Sequence, residues 1–260
     1  MMKKLLSMVA IGAIGTILSC QTDDGLTSNN EVSADALAKI AKLGFSTEGA
    51  RIVDGAYLVE GDIMLHDHDL NSTTHHTALR IAEVEQYRTF NLVSGLPRTI
   101  TVSSSGQVNS AVSSAINSAI GRYNAENLGL TFVRVSSGGD INIRMVNGGG
   151  YIASAGFPSG GDPYPTVKFN RQYQNYSSGF LTTVIAHEMG HCIGFRHTDY
   201  MDRSYSCGSG GNEGSGTVGA VHIPGTPTGP DSGSWMLACL SSTTNRPFNN
   251  NDKTALNYLY

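Results

Sequence analysis

Charged side chains are scarce in this chain: Asp, Glu, Lys and Arg make up only 15% of its 260 residues. The formal net charge is −4 at pH 7, so the sequence has no basic excess of the kind that binds nucleic acid. It contains no internal repeat and no apolar run long enough to cross a membrane. Hydrophobic residues nevertheless account for 40% of the chain and glycine for 31 positions. This composition favours a loop-rich protein with a real core that works outside the cytoplasm.

The N-terminus has the features of an export signal. Residues 3–4 are lysines, residues 5–18 are mostly apolar but too short to span a membrane, and a serine precedes Cys20. The arrangement resembles a bacterial lipoprotein signal, which implies a signal peptide over residues 1–20 and lipidation of Cys20. An ordinary secretory signal with an incidental cysteine is the alternative. Residues 21–24 resemble the acidic export tags of Bacteroidetes lipoproteins, so we expect a lipid-anchored protein at the outer membrane or cell surface.

Charge then divides the rest of the chain in two. Residues 21–86 carry 12 acidic and 4 basic groups, whereas residues 87–260 carry 9 acidic and 11 basic groups. An acidic front segment before a near-neutral body indicates a pro-segment or an independent arm, with a merely solvated linker as the alternative. We therefore divide the chain into the signal peptide, an acidic linker or pro-segment at 21–86, and a main domain at 87–260.

The main domain mixes strands and helices. Five segments have the composition or alternation of β-strands: residues 98–102, 130–135, 141–146, 151–157 and 166–169. Between Val108 and Tyr123, apolar residues recur at three- and four-residue steps, which predicts a helix with one buried face. Residues 198–234 are rich in Gly, Ser and Pro and lack periodicity, and residues 251–260 predict a short final helix capped by Asn250 or Asn251. The order of elements predicts an α+β fold.

The most specific signal is the run from His187 to His197, which reads H-E-x-x-H-x-x-G-x-x-H. On a helix, His187 and His191 share one face and can hold one metal ion. Gly194 allows the chain to turn back, so that His197 can supply a third nitrogen, while Glu188 can reach a water at the metal. Chance would produce the full pattern with a probability on the order of 10⁻⁵ to 10⁻⁴, so an accidental histidine pair is a poor alternative. Three neutral nitrogens with an open fourth position indicate a catalytic zinc site.

The motif resembles that of the metzincin peptidases in full. Residues 88–260 are most similar to the Bacteroidetes lipoprotein dual-action HEIGH metallopeptidases, with Met189 in place of the Ile of that name. The resemblance implies a metzincin-type zincin fold: a mixed twisted sheet, two main helices, an irregular C-terminal subdomain and a final helix like that of matrix metalloproteinases. It implies one catalytic zinc ion, a tight turn at Met236 beneath it, and hydrolysis of protein or peptide substrates with Glu188 as general base.

Two departures from the family pattern affect the ligand set. Thr198 and Asp199 follow the third histidine and match no metzincin subfamily cleanly. Leu237-Ala238-Cys239, and not a tyrosine, directly follow Met236, so we expect no fifth ligand. The sequence does not decide a calcium requirement, an oligomeric state or a preferred substrate side chain. It leaves open a surface-anchored binding or adhesion lipoprotein with a structural zinc, and a narrow processing enzyme. The intact Glu188 argues against a purely structural site.

The front segment has a zinc-related pattern of its own. Residues 59–63, Val-Glu-Gly-Asp-Ile, resemble the aspartate switch of astacin pro-segments, which implies that Asp62 binds zinc and keeps a zymogen latent. An ordinary Gly-Asp turn is the alternative. Four histidines with two aspartates follow, for which we favour an exposed polar linker over a second metal site: His66, Asp67, His68, Asp69, His75 and His76.

Three cysteines remain after Cys20, namely Cys192, Cys207 and Cys239. Because the predicted compartment is oxidising, we expect one disulfide among them and one free thiol. The spacing does not decide which pair forms. A bridge between Cys192 and Cys207 would staple the loop after His197, and it is the pairing that we favour.

Overall fold

A computed structural model describes residues 31–71, 86–215, 218–227 and 229–260. The predicted signal peptide, Cys20, His75 and His76 lie outside these residues. Among the helices that are described, none has the length and apolar character needed to cross a membrane.

Ten strands and six α-helices are present in this part of the chain. The strands are β1 (Arg51–Val53), β2 (Ala56–Val59), β3 (Ile63–Leu65), β4 (Tyr87–Arg88), β5 (Arg98–Ser105), β6 (Leu130–Arg134), β7 (Ile141–Val146), β8 (Ala153–Ser154), β9 (Thr166–Asn170) and β10 (Val221–His222). The helices are α1 (Ala34–Leu43), α2 (Asp67–Leu70), α3 (Ser110–Asn124), α4 (Ser178–Cys192), α5 (Ser204–Cys207) and α6 (Asn250–Leu259).

The main sheet has five strands in the order β6-β5-β7-β9-β8. The first four run parallel, and β8 joins β9 antiparallel at the edge. This mixed sheet, packed against two long helices, confirms the predicted α+β fold. One predicted strand is wrong in extent, because only Ala153 and Ser154 of residues 151–157 pair with the sheet. The chain enters through the Gly148-Gly149-Gly150 turn, and Ala155 pairs instead with the front segment.

The core lies between the sheet and helices α3 and α4. Asn109 caps α3 by accepting a hydrogen bond from the backbone of Val112, and the apolar face predicted between residues 108 and 123 is buried. Ser177 caps α4 in the same way. The Tyr123 hydroxyl donates to the Ala186 carbonyl at 2.7 Å and ties the two helices together. Every residue of α4 from 180 to 192 is buried, so this helix is covered on all sides.

The front segment is folded from residue 34 to residue 70. Helix α1 and the antiparallel sheet β1-β2-β3 enclose a small apolar cluster that includes Ile40, Phe45 and Ile63 and packs against Phe157 of the body. Strand β3 lies beside the edge of the main sheet: the Met64 N–H donates to the Ala155 carbonyl at 2.7 Å. The acidic segment therefore lies against the main domain at the open edge of its sheet. The boundary at residues 86–87 stays a prediction.

The disulfide joins Cys207 to Cys239, with their Cα atoms 5.1 Å apart, and Cys192 is free and buried. The predicted Cys192–Cys207 bridge is wrong. Cys192 follows His191 on α4, so its side chain is rotated by about 100° from the metal-facing side and points into the core. Cys207 instead ends α5 and lies beside the irregular segment that follows Met236.

The C-terminal part is irregular between α5 and α6, as predicted, apart from β10, which pairs with β4. Helix α6 starts one residue earlier than predicted, because Asn249 is its N-cap. The Asn249 side chain accepts hydrogen bonds from the backbone of Asn251 and Asp252, and the Asp252 side chain accepts from the Asn249 backbone. This reciprocal cap places Ala255 and Leu256 in the core.

Candidate metal centre and active site

Helix α4 and the turn after it bring three histidines together. His187 and His191 are one helical turn apart, and their Nε2 atoms lie 3.0 Å from each other. Gly194 then adopts a φ of +109°, which lets the chain reverse. The reversal places Nε2 of His197 3.2 Å from Nε2 of His191. Two nitrogens at the corners of a tetrahedron with metal–nitrogen bonds of about 2.0–2.1 Å lie about 3.3 Å apart, so the three rings fit a zinc ion.

Each ring is oriented by a hydrogen bond at its outward nitrogen, Nδ1. His187 Nδ1 lies 2.8 Å from the Trp235 carbonyl, and His191 Nδ1 lies 2.8 Å from the Phe195 carbonyl. His197 Nδ1 lies 2.8 Å from a carboxylate oxygen of Glu213. Because a backbone carbonyl faces Nδ1 of His187 and of His191, these two nitrogens carry the protons and the Nε2 lone pairs of both rings face inward, whereas Nδ1 of His197 faces a carboxylate.

Asp62 of the front segment completes the cluster. Its Oδ2 lies 3.1 Å from Nε2 of His197 and 3.6 Å from Nε2 of His187. Its Oδ1 is buried without a hydrogen-bond partner in the part of the chain that the structure describes. The four side chains offer ligand atoms that all lie within 4.8 Å of one another. Three imidazole nitrogens and one carboxylate oxygen are donors that zinc accepts, so the residues present fit that ion.

Glu188 lies next to the first histidine, is 2% exposed, and has one oxygen, Oε2, without a partner among the described residues. Burial raises the pKa of its carboxyl well above the usual range, and the charge of Asp62 raises it further. Burial also acts to raise the pKa of Asp62, but the histidines, His197 foremost, outweigh it and hold that pKa well below the usual range. In the metal-free protein, the carboxyl of Asp62 is therefore the stronger acid of the two.

The pKa values of His191 and His197 also shift in opposite directions. Burial and the neighbouring imidazoles lower the pKa of His191 well below its usual value, which favours the neutral form that binds metals. Burial also lowers the pKa of His197, but the carboxylates of Asp62 and Glu213 outweigh it and raise that pKa well above its usual value. The ring of His197 is thus the one that sits between two carboxylates.

Met236, the residue of the predicted methionine turn, packs against helix α4. A side chain at Gly190 would meet the Met236 sulfur at 2.6 Å, so the methionine packs directly against the helix between the two histidines. The turn is held by Asp199, whose Oδ1 accepts a hydrogen bond from the Ala238 N–H at 2.9 Å. The Thr198 N–H donates to the Met236 carbonyl at 2.9 Å. Thr198 and Asp199 therefore stabilise the turn that contains Met236.

His66 and His68, the two described histidines that come directly after β3, belong to no candidate metal cluster within the described ranges. His66 Nε2 lies 2.9 Å from the Tyr164 hydroxyl, and His68 pairs with Asp69 at 3.2 Å. Residues 67–70 form helix α2, and His66 and Asp69 are half-buried, so the described part of this stretch is folded and is not the exposed linker that we favour from the sequence.

Sequence reasoning missed four charged residues around His197. Glu213 contacts the ring directly, and the guanidinium of Arg196 lies 3.5 Å from carboxylate oxygens of both Glu213 and Glu60. Nε of Arg203 lies 3.2 Å from Glu213 Oε1. The only signal for Glu213 is that it is the single charged residue between positions 204 and 230, in a stretch of glycine and serine.

A cavity of about 220 Å³ opens beside the metal centre. Glu188 lies at its base, Val184 and Leu240 form an apolar wall, and Tyr151 borders it near strand β8. Asp62 and its neighbours close it from the front segment. A larger cavity of about 770 Å³ lies between the front segment and residues 157–166, and its lining includes neither Glu188 nor the three histidines.

Comparison with known proteins finds a family model and solved structures that match this chain. The model of the dual-action HEIGH metallopeptidase family matches residues 58–260, which include Asp62 as well as the zinc motif. One solved structure of myroilysin is 17% identical, covers 65% of this chain and 96% of its own, and has a TM-score of 0.46. A second is 17% identical, covers 68% of this chain and 90% of its own, and has a TM-score of 0.41. Comparison with curated proteins gives no significant match.

The family model spans well over half of the chain and includes all four residues of the metal cluster. A metallopeptidase acts on protein or peptide substrates, and the histidine-rich site described above can bind one zinc ion. The chain therefore belongs to the dual-action HEIGH metallopeptidase family.

Proposed function

We propose that the chain is a zinc endopeptidase made as a latent zymogen, with His187, His191 and His197 as zinc ligands and Glu188 as general base. One observation carries the proposal: one nitrogen from each of the three histidines and a carboxylate oxygen of Asp62 all lie within 4.8 Å of one another, so these four residues would hold the metal. A purely structural zinc site would have no use for Glu188, whose unpartnered oxygen is buried beside the cluster.

The residues of the chain divide the chemistry among themselves. When bound, zinc lowers the pKa of a water molecule towards about 7 and polarises a peptide carbonyl. Glu188 takes the proton from the attacking water and passes it to the leaving amine. The carbonyl acceptors at the Nδ1 atoms of His187 and His191 keep those rings neutral and fixed. Met236 supports the helix from below.

The substrate backbone binds along the edge of the main sheet. Strand β8 pairs with β9 on one side only, so its other side offers backbone groups to an extended peptide. The front segment uses this edge, since the Ala155 N–H donates to the Asp62 carbonyl at 2.9 Å and the Ala155 carbonyl accepts from Met64. Front segment and substrate therefore compete for the same backbone groups as well as for the metal.

Latency follows from how firmly Asp62 is held. Besides the pairing at Ala155, Arg51 donates from Nη2 to the carbonyls of Gly149 and Gly150 at 3.0 and 3.1 Å. Lys168 of the sheet pairs with Asp54 at 3.0 Å. These contacts hold the front segment on the main domain, so we expect wild type to become active only after a lag, during which the front segment is cut or displaced.

We also propose that a lipid at Cys20 anchors the protein outside the cytoplasm. The basic, apolar and small residues before Cys20 support this, and the Cys207–Cys239 disulfide agrees with an oxidising compartment. Mass spectrometry of the N-terminal peptide from membranes tests it, with Cys20→Ala as the variant that should leave the membrane fraction. An unmodified N-terminus beyond residue 20 would contradict the anchor.

The decisive test of the peptidase uses purified wild type and Glu188→Ala, incubated with a denatured protein mixture with and without a zinc chelator. Mass spectrometry of the fragments should show cleavage by wild type that is lost in Glu188→Ala and on chelation. Glu126→Ala is the matched control, because the Glu126 carboxylate pairs with Lys253 at 3.1 Å and does not line the cavity beside the metal centre. Zinc at one equivalent without any cleavage would refute general peptidase activity and favour a narrow processing enzyme or a binding lipoprotein.

The latency test compares Asp62→Ala with Asp67→Ala in the same assay. Asp67 lies in the same front segment and only accepts a hydrogen bond from Tyr57 at 3.3 Å. Asp62→Ala should show activity without the lag of wild type, because the fourth position is open, whereas Asp67→Ala should keep the lag. Equal lags in all three proteins would show that Asp62 does not hold the enzyme latent.

A further inference from the structure

The three histidines differ in what orients them. The outward nitrogens of His187 and His191 face backbone carbonyls, each at 2.8 Å. The outward nitrogen of His197 faces a carboxylate oxygen, Oε1 of Glu213, at the same distance. Both kinds of acceptor fix a ring, but a carboxylate also makes the opposite nitrogen a stronger metal donor. His197 is thus distinguished from the other two rings by a charged partner.

Glu213 is held firmly although it lies in a glycine-rich irregular stretch. Its side chain has no exposed surface, and its backbone N–H donates to the Tyr200 carbonyl at 2.7 Å. Two guanidinium groups balance its charge: Nη2 of Arg196 lies 3.5 Å from Oε2, and Nε of Arg203 lies 3.2 Å from Oε1. A buried carboxylate fixed by this many groups has little freedom to move away from the ring.

Pairing with the two arginines does not by itself account for this placement. The shortest contact of the Glu213 carboxylate is the 2.8 Å hydrogen bond to His197, whereas its contacts to Arg203 and Arg196 are 3.2 and 3.5 Å. Arg196 has other partners in the carboxylate of Glu60 at 3.5 Å and in the Gly214 and Gly219 carbonyls. The carboxylate is therefore aimed at the imidazole, and the arginines support it from behind.

We propose that Glu213 is a positioning residue for the reaction: it holds the ring of His197 with Nε2 towards the metal and thereby sets how tightly that ligand binds zinc. The proposal rests on the proposed role of His197 as the third ligand. It also gives the front segment a second route to the metal centre, since Glu60 lies beside this pair: side-chain atoms of Glu60, His197 and Glu213 all lie within 4.8 Å of one another. Asp62 acts on the metal directly, and Glu60 acts on the residue that orients a ligand.

The test measures metal binding on the purified chain, in wild type, Glu213→Gln, Glu213→Ala and the control Asp140→Asn. Competition with a chromophoric chelator gives the zinc dissociation constant, and cobalt(II) substitution gives an absorption spectrum that reports ligand geometry. Glu213→Ala should weaken zinc binding about 10- to 100-fold and shift the cobalt bands. Glu213→Gln keeps an acceptor oxygen but loses the charge, so it should fall between wild type and Glu213→Ala.

Asp140→Asn should bind zinc as wild type does, because the Asp140 carboxylate only accepts hydrogen bonds from Thr101 on the main sheet. The proposal is refuted if Glu213→Ala lowers the melting temperature but leaves the zinc affinity within twofold of wild type. If Glu213→Ala does not fold, Glu213→Gln decides alone, and an unchanged zinc affinity there refutes it too. Metal binding is read without any cleavage, so failure of the peptidase assay and failure of this proposal stay distinguishable.

Discussion

Replacing Gly194 with Ala should both strain the backbone and displace the third histidine. The φ of +109° at Gly194 is one that a residue with a side chain rarely adopts, at a cost of about 1–2 kcal/mol. The new Cβ would also lie 2.7 Å from Cδ2 of Leu92 and 3.0 Å from the backbone oxygen of Asn91. Overpacking of this kind costs about 1–3 kcal/mol more. The expected loss is therefore about 2–5 kcal/mol, together with weaker zinc binding because His197 follows three residues later.

Two other glycines separate the two effects. Gly138 has a φ of +64° but nothing within 4 Å of a new Cβ, so Gly138→Ala should cost only the backbone strain, about 1 kcal/mol. Gly121 lies exposed in helix α3 with no positive φ and open space around it. Gly121→Ala should therefore stabilise the protein, by about 0.5–1 kcal/mol. The same substitution thus has three different outcomes at three sites.

Urea unfolding measures this series, provided that the slope of the transition stays constant, and chelator competition measures zinc affinity. Each kcal/mol corresponds to a shift of about 2–4 °C in melting temperature for a domain of this size. If Gly194→Ala behaves like Gly138→Ala, the contacts to Leu92 and Asn91 relax and the argument from packing is wrong. If it binds zinc as wild type does, the turn at Gly194 does not position His197.

Three further predictions concern the disulfide, a buried carboxyl and the metal. Replacing Cys207 and Cys239 together with Ala should lower the free energy of unfolding by about 2–4 kcal/mol. Reductant should lower the melting temperature of wild type but should leave that of the double variant unchanged. Burial raises the pKa of Asp252 to about 7, so the folded protein keeps a proton that the unfolded chain releases above pH about 4. Stability in urea should therefore fall as the pH rises from about 4 to about 7, and Asp252→Asn should remove that slope. A chelator should lower the melting temperature of wild type and of Glu188→Ala, because both keep the three histidines. It should not lower that of His191→Ala, which has already lost a ligand. Zinc at 100 times its Kd raises the free energy of unfolding by about 2.7 kcal/mol.

The metal helix was predictable because its information is local. The spacing of His187 and His191 on a helix fixes their common face, and Gly194 marks the turn that returns His197. The α+β fold followed from strand alternation and from one amphipathic helix for similar reasons. Each of these features needs only residues that are close in sequence.

The rest depends on contacts between distant parts of the chain. Glu213 reaches His197 only because an irregular stretch with no periodic signal happens to pass behind it. The pairing of Cys207 with Cys239 is set by where α5 lies relative to the chain after Met236, and spacing alone gives no information on that. Strand β8 is shorter than its apolar pattern suggests, because Ala155 finds its partner in the front segment, more than 90 residues earlier.

The pairing of the front segment with Ala155 has a consequence for how inhibition ends. Residues 31–71 are bound to the main domain as a ligand that is covalently connected to its own receptor, and such a connection raises the effective concentration of the ligand. A single cut between residues 72 and 85 would leave every contact of Asp62, Arg51 and Met64 in place. It would nevertheless make the association bimolecular, so dilution or a competing peptide could remove the segment. Whether this connection is intact, more than the number of contacts, would then decide whether the cleft is open.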